Sequence, residues 1–278
     1  MEPKVYRARK KPGRWLNLLI LFVSAMLVAA GLLDRQALRQ RDLRVEAAAT
    51  AAPTPLSEAY DDTPEQRELR LPEVSWYAIQ LAAFDNAEGA RAVAEGYQAR
   101  GAAGYVYEDT RFRVLAALYP TREDAQSVRD QLRAQHALET YVTPIELSGV
   151  TLRLTGARGQ LDVLEGALGK QSEMISVLQS LSLLLDRQEL THEELIMALA
   201  PSREALGTLR LRLQQRFVPP RHAAVEKLME SFASLESFAA ALEGDAQAAV
   251  ATMAAAVKHQ AFSMLDDLKE IYGGFQAT

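Results

Sequence analysis

The sequence predicts an α+β protein with an N-terminal transmembrane helix, a βαββαβ domain on an antiparallel sheet, and a C-terminal antiparallel α-helical bundle. Three observations predict this architecture: an uncharged apolar run near the N-terminus, a gapless repeat over residues 76–142, and five helical segments after residue 149. The expected parts are a cytoplasmic basic segment 1–14, a transmembrane helix 15–33, a flexible linker 34–72, a sheet domain 73–148 and a helical domain 149–278.

The composition excludes several kinds of chemistry. The chain of 278 residues contains no cysteine, which excludes disulfides, cysteine metal sites and thiol catalysis. Its net charge of −5 gives no reason to expect nucleic acid as a partner. The residues show no nucleophile–base pair, catalytic carboxylate pair or histidine metal motif. We therefore expect a protein that is not an enzyme and that has no metal and no cofactor.

Residues 15–33 form a run of 19 residues without an ionisable side chain. About 20 apolar residues are needed to cross a bilayer as a helix. Six basic residues precede the run, whereas residues 34–46 carry four basic and three acidic ones, so the N-terminus is expected in the cytoplasm and the bulk of the chain outside. The alternatives are a cleaved signal peptide, whose apolar core is usually about 7–15 residues, and a buried helix of a soluble domain.

Residues 47–72 are rich in alanine, threonine, proline and glutamate and show no apolar periodicity. Such a composition is typical of a flexible tether. Fully extended, these 26 residues would reach on the order of 85 Å. The sequence therefore predicts a small domain held away from the membrane surface.

A repeat defines the sheet domain: residues 76–107 and 111–142 align without a gap at a constant offset of 35 residues. Tyr77 aligns with Phe112, and each copy passes from alternating apolar residues to a helical segment and then to a second β-like run. Two such βαβ units usually interleave into one ferredoxin- or RNP-like sheet of four antiparallel strands, with both helices on one face. The other face is expected to be open to solvent, and function is sought there.

Alternation along the strands assigns side chains to the two faces of this sheet. The residues predicted to face the helices are Tyr77, Ile79, Leu81, Phe112, Val114, Ala116 and Leu118. The residues predicted to line the open face are Trp76, Ala78, Gln80 and Ala82 on the first strand, and Arg111, Arg113, Leu115 and Ala117 on the third.

With the residues laid out in this way, the segment from Trp76 to about Leu147 resembles the SPOR (sporulation-related repeat) domain family. The matching residues are Ile79-Gln80-Leu81-x-x-Phe84, and Arg113-Val114 with Tyr119. The resemblance implies a single-pass membrane protein of the bacterial cell envelope that binds peptidoglycan glycan strands lacking stem peptides, at the septum in cell division or in sporulation. It also implies that Gln80 and Arg113 correspond to a glutamine and an arginine of the family, the arginine helping to hold the glycan.

A neutral sugar is bound by hydrogen bonds from amide and guanidinium groups, with apolar or aromatic surface under its ring faces. Trp76 or a tyrosine of the second strand could stack on a ring, although Trp76 could equally pack at the domain edge. The expected glycan-binding residues are therefore Gln80, Arg113, Trp76, Arg111 and Leu115.

The chain departs from the family pattern at several positions. It has Ala82 and Ala117 where the family usually has glycine, Leu118 where proline is frequent, and Ala83 in place of a small polar residue. These changes remove backbone freedom and a hydroxyl group, so the ligand could be bound more weakly or be altered. The alternative hypothesis is a protein–protein adaptor of the cell envelope whose SPOR-like sheet no longer binds glycan.

After residue 149, the alternation of Val150, Leu152 and Leu154 predicts one further strand. Single apolar stripes and short connections then predict an antiparallel helical bundle, in which Pro201 separates the second helix from the third. This domain is expected to offer a surface to envelope or division proteins. The predicted helices are 160–186, 191–200, 202–217, 221–243 and 245–272.

Overall fold

The computed structural model describes residues 62–245 and 248–276. The predicted cytoplasmic segment 1–14, the transmembrane helix 15–33 and the linker as far as residue 61 lie outside the described residues. Within the described ranges, none of the helices combines the length and the apolar character that crossing a bilayer requires. The described elements are β1 Pro64–Leu71, β2 Val74–Phe84, α1 Ala87–Gln98, β3 Tyr105–Glu108, β4 Phe112–Tyr119, α2 Arg122–His136, β5 Tyr141–Leu147, β6 Val150–Ala157, α3 Arg158–Asp186, α4 His192–Arg216, α5 Ala223–Gly244 and α6 Val250–Gln276.

The repeat folds into two interleaved βαβ units, which confirms the predicted sheet domain. β2, α1 and β3 come from the first copy, and β4, α2 and β5 from the second. The strands pair antiparallel in the order β3-β4-β2-β5, so that β2 and β4 are central. Side-chain caps start both helices: Asn86 accepts from the amide of Gly89, and Thr121 accepts from the amide of Asp124.

Two irregularities in the pairing of β2 with β4 change the predicted faces. The register shifts between Ala78 and Gln80, and again between Gln80 and Ala82. A β-bulge places two residues opposite one, so simple alternation fails beyond it. Leu118 therefore pairs with Ala78 and lies on the face away from α1 and α2, whereas Ala82 and Ala117 pack on the helix side. The predicted faces of Leu118, Ala82 and Ala117 are wrong for this reason.

The predicted flexible linker ends earlier than residue 72. Residues 64–71 form β1, which pairs antiparallel with β6 in a separate two-stranded sheet, and β6 confirms the strand predicted after residue 149. Leu69 and Leu71 alternate along β1, and both are buried. Most other residues of β1 are polar, as in a linker, so the segment is recognised as a strand only when its pairing with β6 is known.

α3 to α6 form the predicted helical bundle. Each helix packs on its neighbour in sequence, and α6 also packs on α3, which closes a ring. The connections have five or six residues, too few to return along a helix that rises about 1.5 Å per residue, so consecutive helices are antiparallel.

α4 runs unbroken through Pro201, so the predicted break there is wrong. Leu199 and Leu206 are buried on either side of the proline and keep both halves of the helix packed on the bundle. Pro201 itself is exposed, and so is Met197 one turn earlier, whose carbonyl loses its helical donor. Water can satisfy that carbonyl, which lowers the cost of proline at this position.

The sheet and the bundle share one hydrophobic core. Trp76, Ala78 and Leu115 on the face opposite α1 and α2 belong to the same buried cluster as Phe262 and Leu265 of α6. The expectation that this whole face is open to solvent is therefore wrong. α6 buries side chains toward both the bundle and the sheet, and apolar periodicity alone does not say which neighbour each one meets.

Candidate functional site

α6 packs on the sheet and covers part of the face on which ligand binding was expected. Near β3, the ring of Tyr105 stacks on Phe262 with centroids 5.3 Å apart, and its hydroxyl donates to Asp266 Oδ2 at 3.1 Å. Burial, together with the negative charge of Asp266, raises the pKa of Tyr105, so the phenol stays neutral and remains a donor. Farther along α6, the Tyr272 hydroxyl donates to the carbonyl of Pro72, just before β2.

Two of the residues expected to bind glycan lie under this helix. Trp76 is 7% exposed and pairs with Ile145, and Leu115 is fully buried in the core shared with the bundle. The prediction that Trp76 and Leu115 are solvent-exposed is wrong, because α6 covers the part of the sheet to which both belong. Neither side chain can stack on a ligand in this arrangement.

The structure brings the other two central candidates together at the end of the sheet that α6 leaves uncovered. Gln80 Oε1 accepts from Arg113 Nη1 at 2.7 Å and from Thr143 Oγ1 at 3.0 Å. The three residues stand on β2, β4 and β5, neighbouring strands of the sheet. Because the oxygen of Gln80 is held by two donors, its amide group is fixed in orientation, and no described residue accepts a hydrogen bond from its nitrogen.

Asp109 orients the arginine of this cluster. Its Oδ2 accepts from Arg113 Nε at 2.8 Å, and its other oxygen accepts from the backbone amide of Arg111 at 3.0 Å. Partial burial acts to raise the pKa of Asp109, but the hydrogen bonds from the Arg111 amide and the Arg113 side chain outweigh it and lower the pKa. The carboxylate is therefore ionised near neutral pH and holds Arg113 beside Gln80.

Arg111 lies at the edge of the cluster. Its guanidinium is in an ion pair with Asp85 at 2.9 Å, and the Arg111 side chain is 47% exposed. An exposed pair of this kind is weak, since water and salt compete for both charges. Arg111 is therefore accessible to a ligand, as the sequence predicted, but the hydrogen bonds between Gln80, Arg113 and Thr143 do not include it.

An exposed aromatic ring completes the corner. Tyr141 is 64% exposed and is the cross-strand partner of Gln80, so both residues lie on the same face of the sheet. Tyr107 occupies the equivalent place on the other side, as the partner of Arg113. We call the surface formed by Gln80, Arg113, Asp109, Thr143, Tyr107 and Tyr141 the uncovered corner.

Sequence analysis did not select Asp109, Thr143 or Tyr141 for this corner. Asp109 lies in the turn before β4, where an acidic residue is ordinary. Thr143 and Tyr141 depend on the register between β2 and β5, which alternation within one strand does not supply. The 35-residue repeat marks residue 141 as the start of a strand, but only the pairing places its ring beside Gln80.

The fold and the corner are those expected of a binding module, with a fixed amide, a fixed guanidinium and an exposed ring. Residues 75–144 match the family model of the SPOR domain. No curated protein and no solved structure matches the chain. This segment is therefore a SPOR domain, a peptidoglycan-binding module, and it is joined to an additional C-terminal helical region.

Proposed function

We propose that this protein is a membrane-anchored protein of the bacterial cell envelope that binds peptidoglycan glycan strands lacking stem peptides. One observation carries the proposal: Gln80 and Arg113, the positions at which the SPOR resemblance places polar ligand contacts, are hydrogen-bonded to each other on the uncovered corner. A disordered pair of side chains would have to be ordered by the ligand, whereas this pair is already oriented.

Binding at this corner would be noncovalent. Gln80 is 7% exposed, but its side-chain nitrogen is not among the fully buried atoms. This nitrogen and the remaining guanidinium N–H donors of Arg113 offer hydrogen bonds to the hydroxyl and acetamido oxygens of a sugar. Tyr141 offers an exposed ring on which the apolar face of a sugar can stack. Nothing in this mechanism breaks or forms a covalent bond.

The sequence of residues 15–33, an uncharged apolar run, supports the proposed membrane anchor. A transmembrane helix there, with the basic segment in the cytoplasm, would hold the SPOR domain outside the cytoplasmic membrane on the linker that follows. The helical domain would then face envelope or division proteins at the septum, in cell division or in sporulation. A reporter that is active only outside the cytoplasm, fused after Thr278, should be active, and alkaline extraction should leave the protein in the membrane fraction.

The binding proposal is tested by sedimentation of the detergent-solubilised full chain with purified sacculi. The wild type should sediment with amidase-treated sacculi and much less with untreated ones. Gln80→Ala combined with Arg113→Ala should lose at least about tenfold in affinity, because hydrogen bonds to neutral and charged groups are removed together. Arg212→Ala, an exposed arginine of α4, is the matched control and should bind as the wild type does.

A second function is favoured by the burial of Trp76 and Leu115 under α6. With part of the sheet face covered, the SPOR domain could serve as part of a protein–protein adaptor that no longer binds glycan. A folded wild-type protein that fails to sediment with amidase-treated sacculi would select this adaptor function. Sedimentation that depends on Gln80 and Arg113 would exclude it.

A further inference from the structure

One lysine of α6 borders the uncovered corner, although it lies outside the SPOR segment. Lys269 Nζ donates to the hydroxyl of Tyr107 at 3.2 Å and lies 4.9 Å from the centroid of the same ring. Tyr107 is the cross-strand partner of Arg113, and Arg113 in turn contacts Gln80. A continuous series of contacts therefore leads from the bundle to the two residues proposed to bind glycan.

Lys269 differs from the other lysines that the structure describes. Lys170, Lys227 and Lys258 each form an ion pair with a carboxylate, at distances of 2.8, 2.8 and 2.6 Å. In residues 62–245 and 248–276, no carboxylate lies within ion-pair distance of Lys269, whose side chain is exposed. The hydrogen bond to Tyr107 raises the pKa of Lys269, so the amine carries its charge throughout the physiological range.

The other charges of the corner are already matched. Arg113 is paired with Asp109, and Arg111 with Asp85. Asp266, on the same helix as Lys269, accepts a hydrogen bond from Tyr105 on the covered part of the sheet. Among the described residues, Lys269 is therefore the lysine beside the corner that forms no direct ion pair, although the charges of Asp266 and Asp109 act on it at longer range. It lies where a bound strand would meet the wall formed by α6.

We propose that Lys269 pairs with a carboxylate of the bound glycan and thereby selects strands from which the stem peptides have been removed. A stem peptide is attached to the glycan through an amide, which carries no charge. Hydrolysis of that amide by water leaves a carboxylate on the sugar and an amine on the released peptide, so each removed peptide exposes one carboxylate on the glycan itself. This inference rests on the proposed function and names the ligand group that distinguishes the processed strand.

The position of Lys269 is fixed because α6 is held on the sheet from several sides. Lys258, about three turns earlier on the same helix, is 7% exposed and donates to Asp186 Oδ1 at 2.6 Å and to the carbonyl of Gly101 at 2.8 Å. Phe262 and Leu265 are buried in the core that the helix shares with the sheet. The helix is thus a permanent wall of the site, and Lys269 needs no rearrangement to reach a ligand beside Tyr107.

The experiment compares two forms of one ligand with the detergent-solubilised full chain. Soluble glycan oligosaccharides from amidase-treated sacculi are used as they are, or after carbodiimide coupling of their carboxylates to methylamine, which restores a neutral amide. The wild type should bind the carboxylate form roughly three- to tenfold more tightly, since an ion pair at an exposed site gains only modest free energy. This preference should shrink as salt is added.

Lys269→Gln should bind both forms equally, with the affinity that the wild type has for the amide form. Lys269→Arg, which keeps the charge, should retain the preference, and Arg212→Gln controls for the change in net charge. Equal binding of both forms by the wild type, or a preference that survives in Lys269→Gln, would overturn the role of Lys269 while leaving the proposed function intact. Absence of binding to either form would instead refute the proposed function itself. Binding unaffected by Gln80→Ala with Arg113→Ala would place the glycan outside the corner and would overturn the role of Lys269 there.

Discussion

Neighbouring residues of β2 have different tasks. Ile79 is 1% exposed and packs toward α2, with Ala125 in the same buried cluster. Gln80 points to the other face and is 7% exposed, but its oxygen accepts two hydrogen bonds, which offsets the cost of burying it. Ile79 therefore stabilises the packing of the sheet on its helices, whereas Gln80 belongs to the hydrogen-bonded cluster on the opposite face.

Substitutions at these neighbours should separate stability from binding. Ile79→Ala should lower the free energy of unfolding by about 2–5 kcal/mol, since it leaves a cavity, and the folded fraction should still bind glycan. Gln80→Ala should cost about 1–3 kcal/mol at most, because the donors on Arg113 and Thr143 lose their acceptor, and it should weaken glycan binding several-fold. Thermal unfolding and titration with glycan oligosaccharides measure the two effects. The face assignment fails if Ile79→Ala abolishes binding by a folded protein and Gln80→Ala does not alter it.

Asp109 should give stability an acid-dependent component. Its pKa is lowered in the folded state by the Arg111 amide and Arg113, so the ionised form stabilises the fold above the unfolded pKa of about 3.9, and this stabilisation is lost as pH falls through the folded pKa. Asp109→Asn should therefore reduce the unfolding free energy near pH 6 by up to about 1 kcal/mol, with a difference that shrinks below about pH 4. Urea unfolding at a series of pH values measures this difference. A difference that grows on acidification would contradict the role assigned to Asp109.

Alternation along the strands predicts the faces of some residues correctly and those of others wrongly. Alternation placed Gln80 and Arg113 on one face, and the structure joins them at 2.7 Å. The same alternation misplaced Ala82, Ala117 and Leu118, because the register shifts in the β2–β4 pairing interrupt the period of two. A bulge depends on how two strands pair, so the sequence of one strand does not predict it.

At the scale of elements, helices were easier to locate than isolated strands. A helix satisfies its own backbone groups and carries caps in its sequence, as Thr191 and Glu194 do at the start of α4, where each side chain bonds the other's backbone. The backbone groups of β1 pair with β6, and the first residue of β6 lies 79 residues after the last residue of β1. Its composition is polar apart from Leu69 and Leu71, and so the segment reads as a linker until its partner is known.

Pro201 gives a test at this scale. Pro201→Ala should stabilise the protein by about 1–2 kcal/mol, because alanine restores a helical hydrogen bond, although it also gives the unfolded chain more freedom. The midpoint of thermal unfolding should rise accordingly. Ala198→Pro, which places a second proline at an exposed position of the same helix, is the control and should destabilise strongly. A lower midpoint for Pro201→Ala would mean that the proline is required by the packing of α4.

At the scale of the whole molecule, the bundle is part of the binding module. The described residues, 62–245 and 248–276, belong to one compact unit, and α6 contributes to the core that the bundle shares with the sheet. α6 covers part of the face that a βαββαβ sheet otherwise leaves open, and the uncovered corner lies on the remainder. Lys258 joins the two parts through Asp186 of α3 and the carbonyl of Gly101.

The sheet domain on its own should therefore be less stable and less soluble than the whole compact unit. A fragment of residues 73–148 would expose apolar side chains that are now buried, and large exposed apolar patches favour self-association. We expect it to aggregate or to unfold at a lower temperature than residues 62–278, as measured by size-exclusion chromatography and calorimetry. A monomeric fragment with an unchanged unfolding midpoint would show that α6 contributes little to the sheet. The side chains uncovered in the fragment are Trp76, Ala78, Leu115, Ile145 and Leu147.

The sequence by itself determined the features that depend on local periodicity and repetition. The 35-residue repeat predicted two βαβ units. Together with the matching residues of β2 and β4, it also predicted the SPOR domain over residues 75–144. The tertiary structure decided which surfaces meet: the pairing of β1 with β6, the register that brings Tyr141 beside Gln80, and the packing of α6 over Trp76 and Leu115. Periodicity specifies that a face is apolar, but any apolar face of suitable shape can bury it, so the choice of partner is a property of the whole chain.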